Sequence, residues 1–266
     1  MLDQLSIENS LQTSFFGRFL YIYPELNSTN SHARKLIDEG APEGTVVLAD
    51  YQTAGKGRFG HSWQSSRGVN ILMSLILRPH ILVEALQNIT LATATILIYS
   101  FRKFLQQEKV QDLPFSVKWP NDILIQGRKL GGILAESGIK NKSVEFVIVG
   151  MGINVNQDMQ DLGSEIRDCS TSFYAETGRI YSREKLIVRI LRDFENKYID
   201  LERCGYERVI DEWKENCRQL GQQVKIETPL IKEAGRFVDI NEHGHPLYQT
   251  ADGKIKKIVK GRIITD

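Results

Sequence analysis

The chain reads as an α+β protein, a mixed β-sheet packed with helices, followed by a small barrel-like β domain. Three observations predict this. Short β-branched runs follow one another without a long helix between each pair, which favours a mixed sheet over a regular parallel repeat. Two long segments carry a helical apolar period. Beyond residue 220, four or five short strands are separated by tight turns.

Residues 18–23 form the first expected strand, and 31–39 the first helix, ended by Gly40 with Ser28, Thr29 or Asn30 as the candidate cap. Residues 45–51 make a second strand and 69–77 a third, with a glycine-rich loop between them. The segment 84–107 keeps a helical period through Leu86, Ile89, Ile96, Leu97, Phe101, Phe104 and Leu105. Residues 115–119 make a short strand stopped by Pro120, 123–137 a hairpin turning at Gln126-Gly127, and 145–150 another strand. Two helices follow, over 182–201 and 206–215. Strands at 222–226, 236–240, 246–249 and 254–258 then build the small domain, so the expected division is 1–217 and 218–266.

Composition narrows the function classes. Of 266 residues, 41% are hydrophobic and 25% charged, enough for a sizeable core. The 34 basic residues face 33 acidic ones, and a net charge of +1 gives no large nucleic-acid footprint. Cys169, Cys204 and Cys217 form neither a CxxC pair nor a metal cluster, which fits a reducing cytoplasm. Residues 1–14 have no signal-peptide pattern, and the longest apolar stretch, 96–99, is far too short to span a membrane.

Three clusters carry chemistry. The first is Gly55-Lys56-Gly57-Arg58-Phe59-Gly60, in which glycines permit close backbone approach and two cations suit a carboxylate or phosphate. It is neither a P-loop nor a dinucleotide fingerprint, and a solvated loop would have the same composition. The second is Lys118-Trp119-Pro120-Asn121-Asp122, with Lys129 before Leu130-Gly131-Gly132. A lysine there can meet charge developing on a phosphate, although surface lysines, a core tryptophan and a simple turn would explain the same residues. The third is Gly150-Met151-Gly152-Ile153-Asn154-Val155-Asn156, which a β-bulge or turn would also explain. Three such clusters at strand ends argue jointly for a shared cleft.

The ordered set resembles the biotin–protein ligase family over nearly the whole chain. The matching segments include Ser28-Thr29-Asn30, Gln52-Thr53-Ala54-Gly55-Lys56-Gly57-Arg58 with Trp63, Lys118 to Asp122, Lys129 to Leu134 with Glu136, and Gly152 to Asn156. Thr171-Ser172-Phe173 and Gly235 to Ile240 also fit. The resemblance implies a class II synthetase-like catalytic fold with an SH3-like C-terminal domain. It implies adenylation of biotin by ATP, with Mg²⁺ carried by the nucleotide and no protein metal cage. Transfer then follows to a lysine of a biotin carboxyl carrier protein or domain of a biotin-dependent carboxylase.

By the same resemblance, Ser28, Thr29, Asn30, Gln52, Gly55, Gly132, Ile133 and Leu134 line the biotin pocket. Arg58, Lys129 and Lys118 are the catalytic cations. Trp63, Asn121, Asp122, Ile153 and Asn154 join those cations around ATP. Phe59 and His61 stand where relatives often carry arginine. Arg262 follows Gly261 where an acidic residue is common, so Arg262 receives no role. The resemblance also implies a form without the N-terminal DNA-binding domain of many relatives, and it leaves a homodimer open. A lipoate–protein ligase or lipoyl/octanoyl transferase, and a non-catalytic biotin- or nucleotide-binding protein, are the competing readings.

Overall fold

The computed structural model describes residues 1–229 and 231–264. A seven-stranded sheet is built from β1 (Leu20–Tyr23), β2 (Val46–Ala49), β3 (Ile71–Leu77), β4 (Phe115–Lys118), β5 (Asp122–Ile125), β6 (Arg128–Lys140) and β7 (Ser143–Ile153). Its order is β1-β2-β3-β7-β6-β5-β4. Only β1 and β2 pair in parallel within this sheet and the other neighbours are antiparallel, so the expected mixed sheet is what forms.

The helices are α1 (Gln4–Ser10), α2 (Thr29–Asp38), α3 (Leu86–Gln107), α4 (Ser164–Arg167), α5 (Phe173–Thr177), α6 (Arg183–Cys204) and α7 (Glu207–Asn216). Helix α2 covers one face of the sheet through Ala33 and Leu36, which meet Val47, Ile76 and Phe146. Helix α3 covers the other face and is itself covered by α6 and α7. It is therefore buried nearly all round, down to Thr93 and Ser100, where its apolar period had suggested one dry face. Ser182 caps α6 by accepting from Lys185 N–H, and Gly205 ends it at φ 80°.

Two hairpins organise the site half of the sheet. Gln126 and Gly127 both adopt positive φ, the conformation a two-residue turn needs to match strand twist, as their sequence predicts. The second turn, between β6 and β7, uses Asn141 and Lys142 at φ 51° and 65°. No glycine marks it, so both strands run longer than their sequence suggests.

A five-stranded antiparallel sheet follows: β8 (Gln223–Glu227), β9 (Lys232–Ile240), β10 (Pro246–Gln249), β11 (Ile255–Lys257) and β12 (Arg262–Ile264). Its order is β11-β10-β9-β8-β12, and it corresponds to the small SH3-like unit that the resemblance implied. Strand β12 has only three residues and no sequence pattern announces it. The apolar core is continuous from the main sheet through Trp119 and Trp213 into Ile226, Phe237 and Ile263. No helix among the described residues is long and apolar enough to cross a membrane.

Candidate active site

A cavity of about 340 Å³ opens where the N-terminus of α2, the glycine-rich loop, the β4–β5 turn, β6, β7 and β12 converge. Strand register explains how distant residues meet. Lys118 pairs with Asp122, Asp122 with Gly132, and Gly132 with Gly152, so one row across the sheet holds a cation, a carboxylate and two positions without side chains. Those two glycines make room for an aromatic ring. A Cβ on Gly152 would stand 2.6 Å from Trp63 Cε2, and one on Gly132 would stand 3.2 Å from Trp63 Cζ3.

Lys129 rises from β6 beside this floor. Its Nζ lies 2.6 Å from Asp122 Oδ1, with side-chain exposures of 33% and 24%. It also lies 5.7 Å from the Trp63 ring centroid, within reach of a cation–π attraction. Arg58 faces the same wall. Burial pulls its guanidinium down from the ordinary arginine value, and the Asp122 carboxylate opposes that shift. An arginine so placed stays charged near neutrality.

The other end of the cavity is a hydrogen-bond network. Thr29 donates to Gln52 Oε1 from its N–H at 2.7 Å and from its hydroxyl at 3.0 Å. The Ser74 hydroxyl lies 2.8 Å from Thr29 Oγ1 and 2.6 Å from Asn30 Oδ1. Asn30 Nδ2 donates to Glu136 Oε2 at 2.7 Å and to Leu134 O at 3.2 Å. Gly150 permits this packing, because a Cβ there would overlap Asn30 Oδ1. Ser28 sits at the N-cap of α2 but makes no side-chain capping bond, and it lines the cavity beside Thr29 and Asn30.

The glycine-rich loop is folded rather than open. Trp63 N–H donates to Gly55 O at 2.9 Å, and Gly57 N–H donates to His61 O at 2.7 Å. Lys56 and Ser62 pair between them, so residues 55–63 form a narrow hairpin. Phe59, at φ 55°, turns its tip and is 47% exposed. Gly55 belongs to the base of this hairpin, where a Cβ would come 2.6 Å from Trp63 O, and it does not line the cavity.

Of the residues singled out from sequence, Ser28, Thr29, Asn30, Gln52, Arg58, Trp63, Lys118, Asn121, Asp122, Lys129, Gly132, Ile133 and Leu134 line this one cavity. Ile153 and Asn154 do not. Ile153 is fully buried in the core, and Asn154 Nδ2 is spent on Thr171 O at 3.0 Å, bracing the end of β7. Asn121 clips the β4–β5 turn to β6: its Nδ2 donates to Ile133 O at 2.8 Å, and Ile133 N–H donates back to Asn121 O. Trp119 is core, with its indole N–H directed to Gly244 O at 3.4 Å. Ser74 escaped the sequence reading, and Arg262, which also lines the cavity, was given no role there. For Ser74 the available signal was one hydroxyl inside the apolar run Ile71–Leu77. Arg262 could be given no place, since β12 itself was not foreseen.

Residues 23–154 match the biotin/lipoate A/B protein ligase family. The bifunctional ligase/repressor BirA of Bacillus subtilis is 36% identical over 98% of this chain and 78% of its own length. The chain belongs to the biotin–protein ligase family. The biotin–[acetyl-CoA-carboxylase] ligase of Mycobacterium tuberculosis is 29% identical over 91% of this chain and 88% of its own length. Among solved structures, the biotin protein ligase from Aquifex aeolicus in complex with biotin and ATP superposes with a TM-score of 0.76 at 28% identity, covering 93% of this chain and 98% of that one.

Proposed function

We propose that this chain is an ATP-dependent biotin–protein ligase in which Lys129, Arg58 and Lys118 draw two anionic reactants into one cavity. The observation that carries this reading is the meeting of the three cations on a wall whose far end is a buried hydrogen-bond network. Biotin has such a division itself. Its ureido ring is neutral and rich in donors and acceptors, and its tail ends in a carboxylate.

Ser28, Thr29, Asn30 and Gln52, with the backbone of residues 132–134, receive the ureido ring. The valeryl carboxylate then points toward Arg58. One carboxylate oxygen attacks the α-phosphorus of ATP, the bond to the β-phosphate oxygen breaks, and pyrophosphate leaves. Lys129 holds the negative charge that grows on the α-phosphate, and Lys118 holds charge on the remaining phosphates. Trp63 offers its indole face to the adenine. In the second step the ε-amine of a carrier lysine attacks the acyl carbon of biotinyl-5′-AMP. AMP leaves with the electron pair of the broken bond, and the amine proton passes to solvent. Arg58, on the hairpin over the cavity, retains the adenylate until then.

The residues also fit a magnesium ion carried by the triphosphate. Among the described residues Asp122 is the one carboxylate lining the cavity, where its Oδ1 meets Lys129 Nζ at 2.6 Å beside the space the phosphates would fill. Magnesium commonly takes one or two carboxylates and completes its shell with phosphates and water. Asp122 and Asn121 would hold it, and it would supply neutralisation of phosphate charge.

The acceptor in this reading is a biotin carboxyl carrier protein or domain, and the compartment is the cytoplasm. Residues 1–217 form the catalytic unit, and 218–266 the small unit that closes the nucleotide end. Pyrophosphate release on mixing biotin with ATP, followed by labelling of a carrier domain, tests the proposal. Labelled lipoate offered in parallel should not be incorporated. Incorporation of lipoate alone would transfer the reading to a lipoate ligase, and binding without pyrophosphate would make the chain a non-catalytic holder.

A further inference from the structure

Resting on that reading, we infer that Arg262, supplied by the C-terminal sheet, binds the β- and γ-phosphates of ATP and the pyrophosphate that departs. Arg262 lines the same cavity as Lys118, Lys129 and Asp122, although it lies 133 residues beyond Lys129 in sequence.

Its position is fixed from three sides. Strand β12 pairs with β8, which sets Arg262 opposite Glu227. Gly261 allows that approach, since a Cβ there would stand 2.5 Å from Glu227 O. Gln219 ties β12 to the β4–β5 turn: its Oε1 accepts from Trp119 N–H at 3.1 Å and its Nε2 donates to Ile263 O at 3.4 Å. The strand bearing Arg262 is thus bonded through one side chain to the turn bearing Lys118 and Asp122.

The guanidinium is available. Among the described residues its nearest anion is Glu227, with Nε 3.7 Å from Oε2, outside hydrogen-bonding distance. Arg262 is 54% exposed, so this contact is weak and screened. Glu227 has a second, nearer cation in Lys232 Nζ at 3.1 Å, and loses little if Arg262 turns away. A planar guanidinium matches two phosphate oxygens at once, which Glu227 does not offer it here. The cavity would then hold the triphosphate between the β4–β6 cations and one from β12. The product adenylate, which lacks the β- and γ-phosphates, would not use Arg262.

That asymmetry sets the test. In the full-length enzyme, Arg262→Ala should raise KM for ATP about ten-fold while KM for biotin stays within about two-fold. Transfer from supplied biotinyl-5′-AMP to a carrier domain should keep its wild-type rate, and Arg262→Lys should recover part of the loss. Glu227→Gln should lower KM for ATP about two-fold, because it removes the competing anion. An unchanged KM for ATP in Arg262→Ala would overturn the inference. So would an equal loss in adenylation and transfer, or a Glu227→Gln variant that reproduces the Arg262→Ala defect, since both would mean that Arg262 merely braces the strand pair. Failure of the wild-type enzyme to make biotinyl-5′-AMP would instead overturn the ligase reading itself.

Discussion

The two ends of the cavity are held in opposite ways. At the α2 end, Thr29, Asn30, Ser74, Gln52 and Glu136 satisfy one another within the protein, on strands whose register is set by long pairings. At the hairpin end, Arg58 rides on three backbone pairs, beside a tip residue with positive φ and half its surface in water. A neutral ring is recognised by matched hydrogen bonds, which weaken steeply with misalignment, so its pocket must be built before the ligand arrives. A charge is attracted over a longer distance and can be met by a long side chain on a lightly held segment.

Substitutions can break that contrast. Within the hydrogen-bond network the largest loss should come from Gly150→Val, which drives a side chain into Asn30. We expect biotin-dependent pyrophosphate release to fall by at least about a hundred-fold, and stability to fall by about 1–3 kcal/mol in a thermal melt. A variant with normal KM for biotin would show that the network does not touch the ring. Asn30→Ala is milder. It removes the amide partner of Glu136 and one of two partners of the Ser74 hydroxyl, which keeps Thr29, and a loss of about 1–3 kcal/mol corresponds to a rise of roughly five- to a hundred-fold in KM for biotin, with KM for ATP nearly unchanged.

How much of this was legible before the structure follows from the same contrast. Cations and glycines announce themselves, so Arg58, Lys118, Lys129 and the glycine floor could be named from sequence. The mixed sheet followed from strands adjoining strands, and the Gln126-Gly127 turn from its glycine. A network made by register leaves almost no local trace. Ser74 stands on β3 and meets Asn30 on α2 only because the sheet places Gly150 between β3 and β6. Asn154 looked like a ligand group because nothing local revealed that Thr171 O would claim its amide. Arg262 stood out as a departure from the family pattern but could be given no place, because a three-residue strand has no period to read.

Two smaller effects sharpen the comparison at the charged end. Trp63→Ala should raise KM for ATP by roughly five- to ten-fold, the lower end of the about 1–3 kcal/mol that stacking of a base on an aromatic ring contributes. KM for biotin should stay within about two-fold, and an equal rise in both constants would move Trp63 out of the adenine role. Lys56→Ala should change either constant by less than about two-fold, because Lys56, although it lines the cavity, is an exposed residue whose charge solvent screens. A large effect there would mean that the hairpin closes further than its backbone pairs suggest.

The central claim is that strand-borne and hairpin-borne cations do different work on two mutually repelling anions. Single-turnover formation and release of biotinyl-5′-AMP in Lys129→Ala and Arg58→Ala tests it most directly. The lysine variant should form the adenylate about a hundred- to a thousand-fold more slowly, as expected when a preorganised charge at the reacting phosphate is removed. The arginine variant should form it more readily than the lysine variant, yet lose it to solvent before transfer. Wild-type formation and retention in both variants would contradict the account.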